Sequence, residues 1–214
     1  MELIPKLANI VVLGNFNPGI LTANFLQETC KIPLKDPKVF PQNPIESVVV
    51  SEKVTFIASL ERFEVSEIDL KSFEGTKIHE YARTYLDTLR YTPVVAWGMN
   101  LNVDVKDINP KALQTHFLED HSAVAKLLKA EQLVIKNEIK FVNGSKEISK
   151  YGLRFVVKAS EIHGNVAIRI NPDKTYNLKY NYEIRKKTDF GLIKDQYKDR
   201  LKDFQRFVEG ITHK

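Results

Sequence analysis

The chain has 214 residues, of which 43% are hydrophobic and 28% charged, ordinary values for a globular protein. Its one cysteine, Cys30, excludes an intramolecular disulfide and a zinc site built from cysteines, and it favours a reducing compartment. Residues 1–19 lack the pattern of a signal peptide, and no window approaches the roughly 20 apolar residues that cross a bilayer. We therefore expect a cytoplasmic protein without membrane contact.

Mixed elements are predicted in the first half of the chain. They are an apolar strand at 10–16 ending at the turn Asn17-Pro18-Gly19, a short helix at 22–27 capped by Thr22, a proline-rich loop at 31–46, and strands near 47–51 and 54–65. A clear helix at 76–91 follows, and Pro93 ends it because the residue before a proline leaves the helical region. Its apolar stripe is Ile78, Tyr81, Ala82, Tyr85, Leu86 and Leu89.

The strand after Pro93 has two different faces. One face is predicted to be core and carries Val95, Trp97, Met99, Leu101 and Val103. The other face is small and polar, with Gly98, Asn100 and Asn102. Glycine in a strand usually indicates the close approach of a neighbour, so close packing is the first interpretation of this face. A ligand surface is the alternative, with Asn100 and Asn102 as its candidate residues.

The second half is more regular. A helix begins near Ser122, four strands form a meander, and an amphipathic helix spans about 190–211. The predicted turns are Asn143-Gly144, His163-Gly164-Asn165 and Asn171-Pro172-Asp173. The prediction is an α+β fold with antiparallel strands and helices mainly on one face. The predicted fold has two halves, residues 1–108 with the order β-α-β-β-α-β and residues 109–214 with a helix, the meander and the terminal helix. The two halves form either separate domains or a single domain.

Most common catalytic motifs are missing from the sequence. It contains no Gly-x-Ser-x-Gly elbow and no glycine-rich phosphate loop, and we predict no catalytic residue and no cofactor. The triplet Asp189-Phe190-Gly191 stands before the terminal helix, where Thr188 or Asp189 is better explained as a helix cap. An enzyme is therefore the less favoured interpretation.

Two histidines and two acids lie together at His116, Glu119, Asp120 and His121. On a helix, His116 and Asp120 would be one turn apart and could share a metal ion. The spacing matches no metalloprotease pattern, and the sequence offers no further ligand or second shell. A metal-dependent hydrolase using this cluster is thus an alternative, while no metal site is the main prediction.

Positive charge is concentrated in residues 146–187. This segment holds ten Lys or Arg and four Asp or Glu, a net of +6, so the rest of the chain carries −1 of the total +5. Strand alternation places the basic side chains of the meander on its wet face: Lys136, Lys140, Arg154, Lys158, Arg169, Lys179 and Arg185. Aromatic residues fall on the opposite face, although sheets that bind nucleic acids usually carry aromatics for base stacking.

The basic face is the strongest functional candidate. The prediction is a non-enzymatic binding protein that acts through this face. Its main predicted partner is another protein or a second copy of the chain, which would form a homodimer. Nucleic acid is the alternative, and a plain solvated face is the third interpretation.

Two segments, "VVLGNFNPGILTANFL" and "YLDTLRYTPVVAWGMNLN", resemble parts of uncharacterised bacterial proteins over residues ~10–105. In those proteins a helix followed by a strand of this type forms part of an α+β fold. The resemblance implies a bacterial or phage-like cytoplasmic setting, and it brings no catalytic residue with it.

Overall fold

A computed structural model of the chain describes residues 2–40, 45–106, 108–119, 121–142, 145–157, 162–171, 175–184 and 193–212. Its strands are β1 (Glu2–Gly14), β2 (Lys38–Val39), β3 (Glu46–Ser51), β4 (Val54–Ser59), β5 (Arg62–Ile68), β6 (Val94–Lys106), β7 (Gln132–Ile135), β8 (Glu138–Val142), β9 (Ser145–Val157), β10 (Ile162–Ile170) and β11 (Tyr176–Ile184). Its α-helices are α1 (Ile78–Thr88), α2 (Pro110–Gln114), α3 (His121–Leu128) and α4 (Ile193–Thr212). A 3₁₀ turn (Pro18–Ile20) and two π-helical turns (Phe25–Thr29 and Thr115–Glu119) complete the described elements.

The strands form one sheet in the order β2-β3-β4-β5-β1-β6-β11-β10-β9-β7, and β8 also pairs with β9. The registered pairs β1–β5, β3–β4, β4–β5 and β9–β10 are all antiparallel. The predicted α+β class with an antiparallel sheet and a C-terminal helix is therefore confirmed. None of the described helices is both long and apolar enough to cross a bilayer.

The chain divides into two compact units. The first consists of Met1–Lys6, Leu101–Glu183 and Asp199–Lys214, and we call it the meander unit because β7 to β11 belong to it. The second consists of Leu7–Asn100 and Ile184–Lys198, and we call it the hairpin unit because it contains the β4–β5 hairpin. Strands β1 and β6 and helix α4 contribute residues to both units.

The core of the hairpin unit forms where α1 meets the sheet. Tyr85 of α1 stacks on Phe63 of β5, with ring centroids 3.9 Å apart and planes 1° from parallel. Tyr197 of α4 stacks on His79 at 4.7 Å, and its hydroxyl donates to the carbonyl of Phe73. These contacts explain why the predicted stripe of α1 is mostly buried, since its aromatic and aliphatic members cover the sheet.

Tyr85 and Tyr197 differ in the hydrogen bonding of their hydroxyl groups, so removing each hydroxyl should have the opposite effect on stability. Among the described residues, the buried hydroxyl of Tyr85 has no hydrogen-bond partner, whereas that of Tyr197 lies 3.3 Å from the carbonyl oxygen of Phe73. Burial is the main reason that the pKa of Tyr85 is raised. An unpaired buried hydroxyl costs about 1 kcal/mol or more. Tyr85→Phe should therefore raise the free energy of unfolding by about 1 kcal/mol in urea denaturation, and Tyr197→Phe should lower it. A loss of stability in Tyr85→Phe would contradict this account.

The core of the meander unit lies between β9–β11 and α4. The predicted alternation of β11 is confirmed, because Tyr176, Leu178, Tyr180, Tyr182 and Ile184 are all buried. The ring of Phe204 in α4 lies 5.4 Å from that of Tyr180. The amphipathic pattern of the last helix is also confirmed, and its buried residues are Ile193, Tyr197, Leu201, Phe204, Phe207, Val208 and Ile211.

Several boundaries differ from the prediction. The strand predicted at 54–65 is a hairpin, because β4 and β5 pair with Ala58 opposite Phe63 and the chain reverses between them. The first of the four strands predicted for the meander is two strands, β7 and β8, which both pair with β9. The turn predicted at His163-Gly164-Asn165 is wrong, since these residues lie inside β10, where the ring of Phe155 occupies the space beside Gly164.

Other predictions fall outside the described residues. The turn Asn143-Gly144 and the segment with Thr188 and Asp189-Phe190-Gly191 are among them. Pro172 and Asp173 also lie outside, although the flanking residues close a hairpin through a hydrogen bond from the backbone N–H of Asn171 to the carbonyl of Thr175. The predicted core face of β6 is buried from Trp97 to Val103, but Val95 is 63% exposed.

Candidate functional site

The wet face of the meander unit is built by the side chains that alternate with its core. On β11, Asn177, Lys179 and Asn181 lie between buried tyrosines and a buried leucine, so they point to the opposite side of the sheet. Lys179 is exposed, and the two asparagines are half-buried. Residues directly opposite each other on antiparallel strands lie on the same face of the sheet. The register between β10 and β9 therefore decides which of their residues lie on the same face as one another.

That register brings the basic residues together. Lys150 of β9 lies opposite Arg169 of β10, and Arg154 of β9 lies opposite Asn165 of β10. Arg154, Arg169 and Lys179 are all exposed. The backbone N–H of Lys136 donates to the carbonyl of Gly152, which lies between Lys150 and Arg154. Of the predicted basic residues, the structure therefore groups Arg154, Arg169 and Lys179 on one face, and it places the backbone of Lys136 beside that of Gly152.

Three predicted members of the basic face cannot be placed in the same way. Lys140 belongs to β8, but its side chain lies outside the described part of the structure. Lys158 and Arg185 lie outside the described residues altogether. Lys150, which the strand pattern did not single out, joins the group through its register with Arg169.

A shallow depression of about 250 Å³ lies in this face. It is lined by Lys150, Asn165, Ala167, Arg169, Asn177, Lys179 and Asn181. Lys150 donates from Nζ to Oε1 of Glu138 at 2.5 Å, and this hydrogen bond, with the nearby charge of Arg169, lowers the pKa of the Glu138 carboxyl. Within the described part of the chain, Arg154, Arg169 and Lys179 form no ion pair. Two of these cations, Arg169 and Lys179, line the depression, and neither lies within ion-pair distance of a described carboxylate.

A network of polar side chains fixes one end of the depression. Nδ2 of Asn177 donates to Oδ1 of Asn102 and to Oδ1 of Asp104, both at 2.8 Å. Nζ of Lys6 lies 3.3 Å from Oδ2 of Asp104. Of the four residues in this network, only Asn102 is among the candidates predicted from the sequence, and Asn177, Asp104 and Lys6 are not. The alternation of β11 was the available signal for Asn177, because it already placed that residue on the wet face.

Asn100 takes part in a separate network in the hairpin unit. Its Nδ2 donates to Oδ1 of Asn9 at 2.5 Å, and Nδ2 of Asn9 donates to Oε1 of Glu64 at 2.8 Å. Glu64 is in turn paired with Arg62. Gly98 is half-buried. The polar side of β6 thus forms side-chain hydrogen bonds to neighbouring strands, which is a structural role for Asn100 and Asn102.

The candidate metal cluster is occupied by other contacts. His116 is buried, and its Nε2 lies 3.2 Å from the carbonyl oxygen of Gly210. Nε2 of His121 lies 3.3 Å from the carbonyl oxygen of Phe117. Glu119 accepts a hydrogen bond from Gln114, and Asp120 lies outside the described residues. Over the described ranges, no group of three or more metal-ligating side chains is assembled.

The comparisons with known proteins give only distant likenesses. No protein-family model matches the chain, and no curated protein is significantly similar to it in sequence. One similar solved structure is a rolling circle replication initiator protein from Geobacillus stearothermophilus, with 11% identity, a TM-score of 0.41, and coverage of 92% of this chain and 80% of that chain. Another is the di-domain ARO/CYC StfQ from the steffimycin biosynthetic pathway, with 10% identity, a TM-score of 0.32, and coverage of 80% and 70%. Likenesses this distant carry no functional information.

Proposed function

We propose that the chain is a binding protein whose basic sheet face holds an anionic partner, and that nucleic acid is the partner this face fits best. The observation that carries the proposal is the grouping of Arg154, Arg169 and Lys179 on one exposed face, without ion pairs to described residues. Unneutralised cations on a shared surface attract phosphates through a salt-dependent interaction.

The shape of the depression supports a polymer rather than a small molecule. Its volume of about 250 Å³ is below the roughly 300–1,000 Å³ of typical small-molecule pockets, and it is a shallow part of a sheet face. The carboxamides of Asn165, Asn177 and Asn181 lie among the cations. Carboxamides can hydrogen-bond to sugars and bases, whereas an acidic protein partner requires only the cations.

The described aromatic residues of these strands predict how such a polymer is bound. Phe155, Tyr176, Tyr180 and Tyr182 are buried on the core side of the meander unit. Among the described residues that line the depression there is no aromatic side chain, so the depression lacks the stacking platform that sequence-specific sheets use for bases. We infer that binding goes through the sugar–phosphate backbone, with little dependence on base sequence and a strong dependence on salt.

Fluorescence anisotropy with mixed-sequence single-stranded oligonucleotides at 50 and 200 mM salt tests the proposal. Three phosphate contacts correspond to a logarithmic salt slope of about −2, so affinity should fall roughly 20-fold between the two conditions. Arg169→Glu and Lys179→Glu should each weaken binding about tenfold and make the slope shallower by about 1.

Lys202→Glu is the matched control. Lys202 is exposed on α4, and the substitution changes the net charge by the same amount away from the basic face. Two results would overturn the proposal: no binding at 50 mM salt, or equal affinities for Arg169→Glu and Lys202→Glu. A face that instead holds an acidic protein or a second copy of the chain would give the first of these results.

A further inference from the structure

The carboxamide of Asn177 is held in one orientation. A carboxylate can only accept, so the atom of Asn177 that lies 2.8 Å from Oδ1 of Asp104 must be its nitrogen. The same nitrogen donates to Oδ1 of Asn102. Both N–H groups of the carboxamide are therefore used, and Lys6 holds the Asp104 carboxylate by its other oxygen. A carboxamide anchored at its nitrogen in this way cannot flip to present a donor to a ligand.

Because both N–H groups of the Asn177 carboxamide are used, its Oδ1 is the side-chain atom that stays available to a ligand. Asn177 lines the depression together with Arg169 and Lys179. The depression thus combines cations, which suit phosphate oxygens, with a fixed acceptor, which suits a ligand donor. Asn181 also lines the depression, but no hydrogen bond to a described residue fixes its carboxamide.

The chemistry of the nucleic-acid backbone decides which ligand matches this combination. A DNA backbone has phosphate and sugar oxygens and offers no hydrogen-bond donor. An RNA backbone carries one donor on every nucleotide, the ribose 2′-hydroxyl, which lies beside the phosphate whatever the base. Bases also carry donors, but none of the described residues that line the depression is an aromatic residue that could hold a base in place.

We propose that the depression recognises the sugar–phosphate unit of RNA, with Arg169 and Lys179 on the phosphate and Oδ1 of Asn177 accepting from the ribose 2′-hydroxyl. The inference rests on the proposed function, since it assigns a sugar preference to the same face. The inference predicts that the protein binds a single strand of RNA more tightly than a single strand of DNA with the same sequence.

Three oligonucleotides of one mixed sequence test this selectivity on the unmodified protein: RNA, DNA and 2′-O-methyl RNA, each at 50 mM salt. The RNA should bind roughly 3- to 10-fold more tightly than the DNA, the net effect of one hydrogen bond. The 2′-O-methyl RNA should bind like the DNA, because methylation removes the donor. Equal affinities for all three would overturn the inference and leave the proposed function standing, whereas no binding by any of them would overturn both.

Asn177→Ala and Asn181→Ala then locate the acceptor. Asn177→Ala should lower the affinity for RNA to that for DNA and leave the affinity for DNA within about twofold. Asn181→Ala, on the same strand and in the same depression, should retain the preference for RNA. A thermal unfolding curve establishes that each variant is folded. An equal loss of RNA and DNA binding in Asn177→Ala would contradict the assignment of the acceptor.

Discussion

Replacing Asp203 by asparagine is expected to lower the free energy of unfolding by about 3 kcal/mol, because it leaves buried positive charge without its partner. The Asp203 side chain is only 9% exposed. Its Oδ2 lies 2.6 Å from Nη1 of Arg200, and its Oδ1 lies 2.9 Å from Nζ of Lys129 and 3.4 Å from Nη1 of Arg206. One carboxylate therefore joins α4 to the residue that follows α3.

Arg200 accounts for most of this expected cost. Its side chain is 19% exposed, and its guanidinium carbon lies 4.9 Å above the ring of Tyr182. The side chains of Lys129 and Arg206 are 56% and 58% exposed, so both can turn to water when the carboxylate is lost. Arg200 is held against the Tyr182 ring and would remain as an uncompensated cation.

Urea denaturation of three variants separates these contributions. Lys129→Met removes a contact made by a side chain that is 56% exposed, and it should cost less than about 1 kcal/mol, as exposed ion pairs do. Asp203→Asn combined with Arg200→Met should be more stable than Asp203→Asn alone, because the double variant leaves no buried charge behind. If Asp203→Asn costs no more than Lys129→Met, the carboxylate does not have the stabilising role described.

Regular alternation explains why the fold of the second half was predictable. In β11, tyrosines and aliphatic residues at every second position fix which side is core, and the spacing of Tyr197, Leu201 and Phe204 does the same for α4. The hairpin between β4 and β5 was missed because the reversal at Ser59-Leu60-Glu61-Arg62 contains neither glycine nor proline. A turn without those residues reads as continuous strand.

Regular alternation also explains which part of the candidate site was predictable. Alternation placed Arg154, Arg169 and Lys179 on one face, since the members of an antiparallel meander share their faces. The anchoring of Asn177 was not predictable, because its partner Asp104 is 73 positions away in the sequence. That contact depends on β6 being the neighbour of β11, and strand order across a sheet leaves no local signal.

Gly164 shows how such a neighbour can reverse the meaning of a residue. In sequence, His163-Gly164-Asn165 has the composition of a turn, yet Gly164 lies in β10 opposite Phe155 of β9. A Cβ at Gly164 would lie 1.9 Å from Cζ of Phe155. The Phe155 ring is buried and lies 6.2 Å from that of Tyr180, so it cannot move aside freely. Glycine is present because the aromatic ring fills the place of a side chain.

Gly164→Ala should therefore destabilise the protein by about 2 kcal/mol in urea denaturation, although alanine at an unhindered strand position is more stable than glycine. Phe155→Leu replaces the ring that causes the clash by a shorter side chain. Gly164→Ala should therefore cost much less in a protein that carries Phe155→Leu, with a coupling energy of about 1 kcal/mol or more. Gly152→Ala is the contrasting control. A Cβ there meets the backbone carbonyl oxygen of Lys136 at 2.5 Å, and Phe155→Leu should not relieve that clash. A Gly164→Ala variant as stable as the unmodified protein would show that Phe155 does not set the choice of glycine.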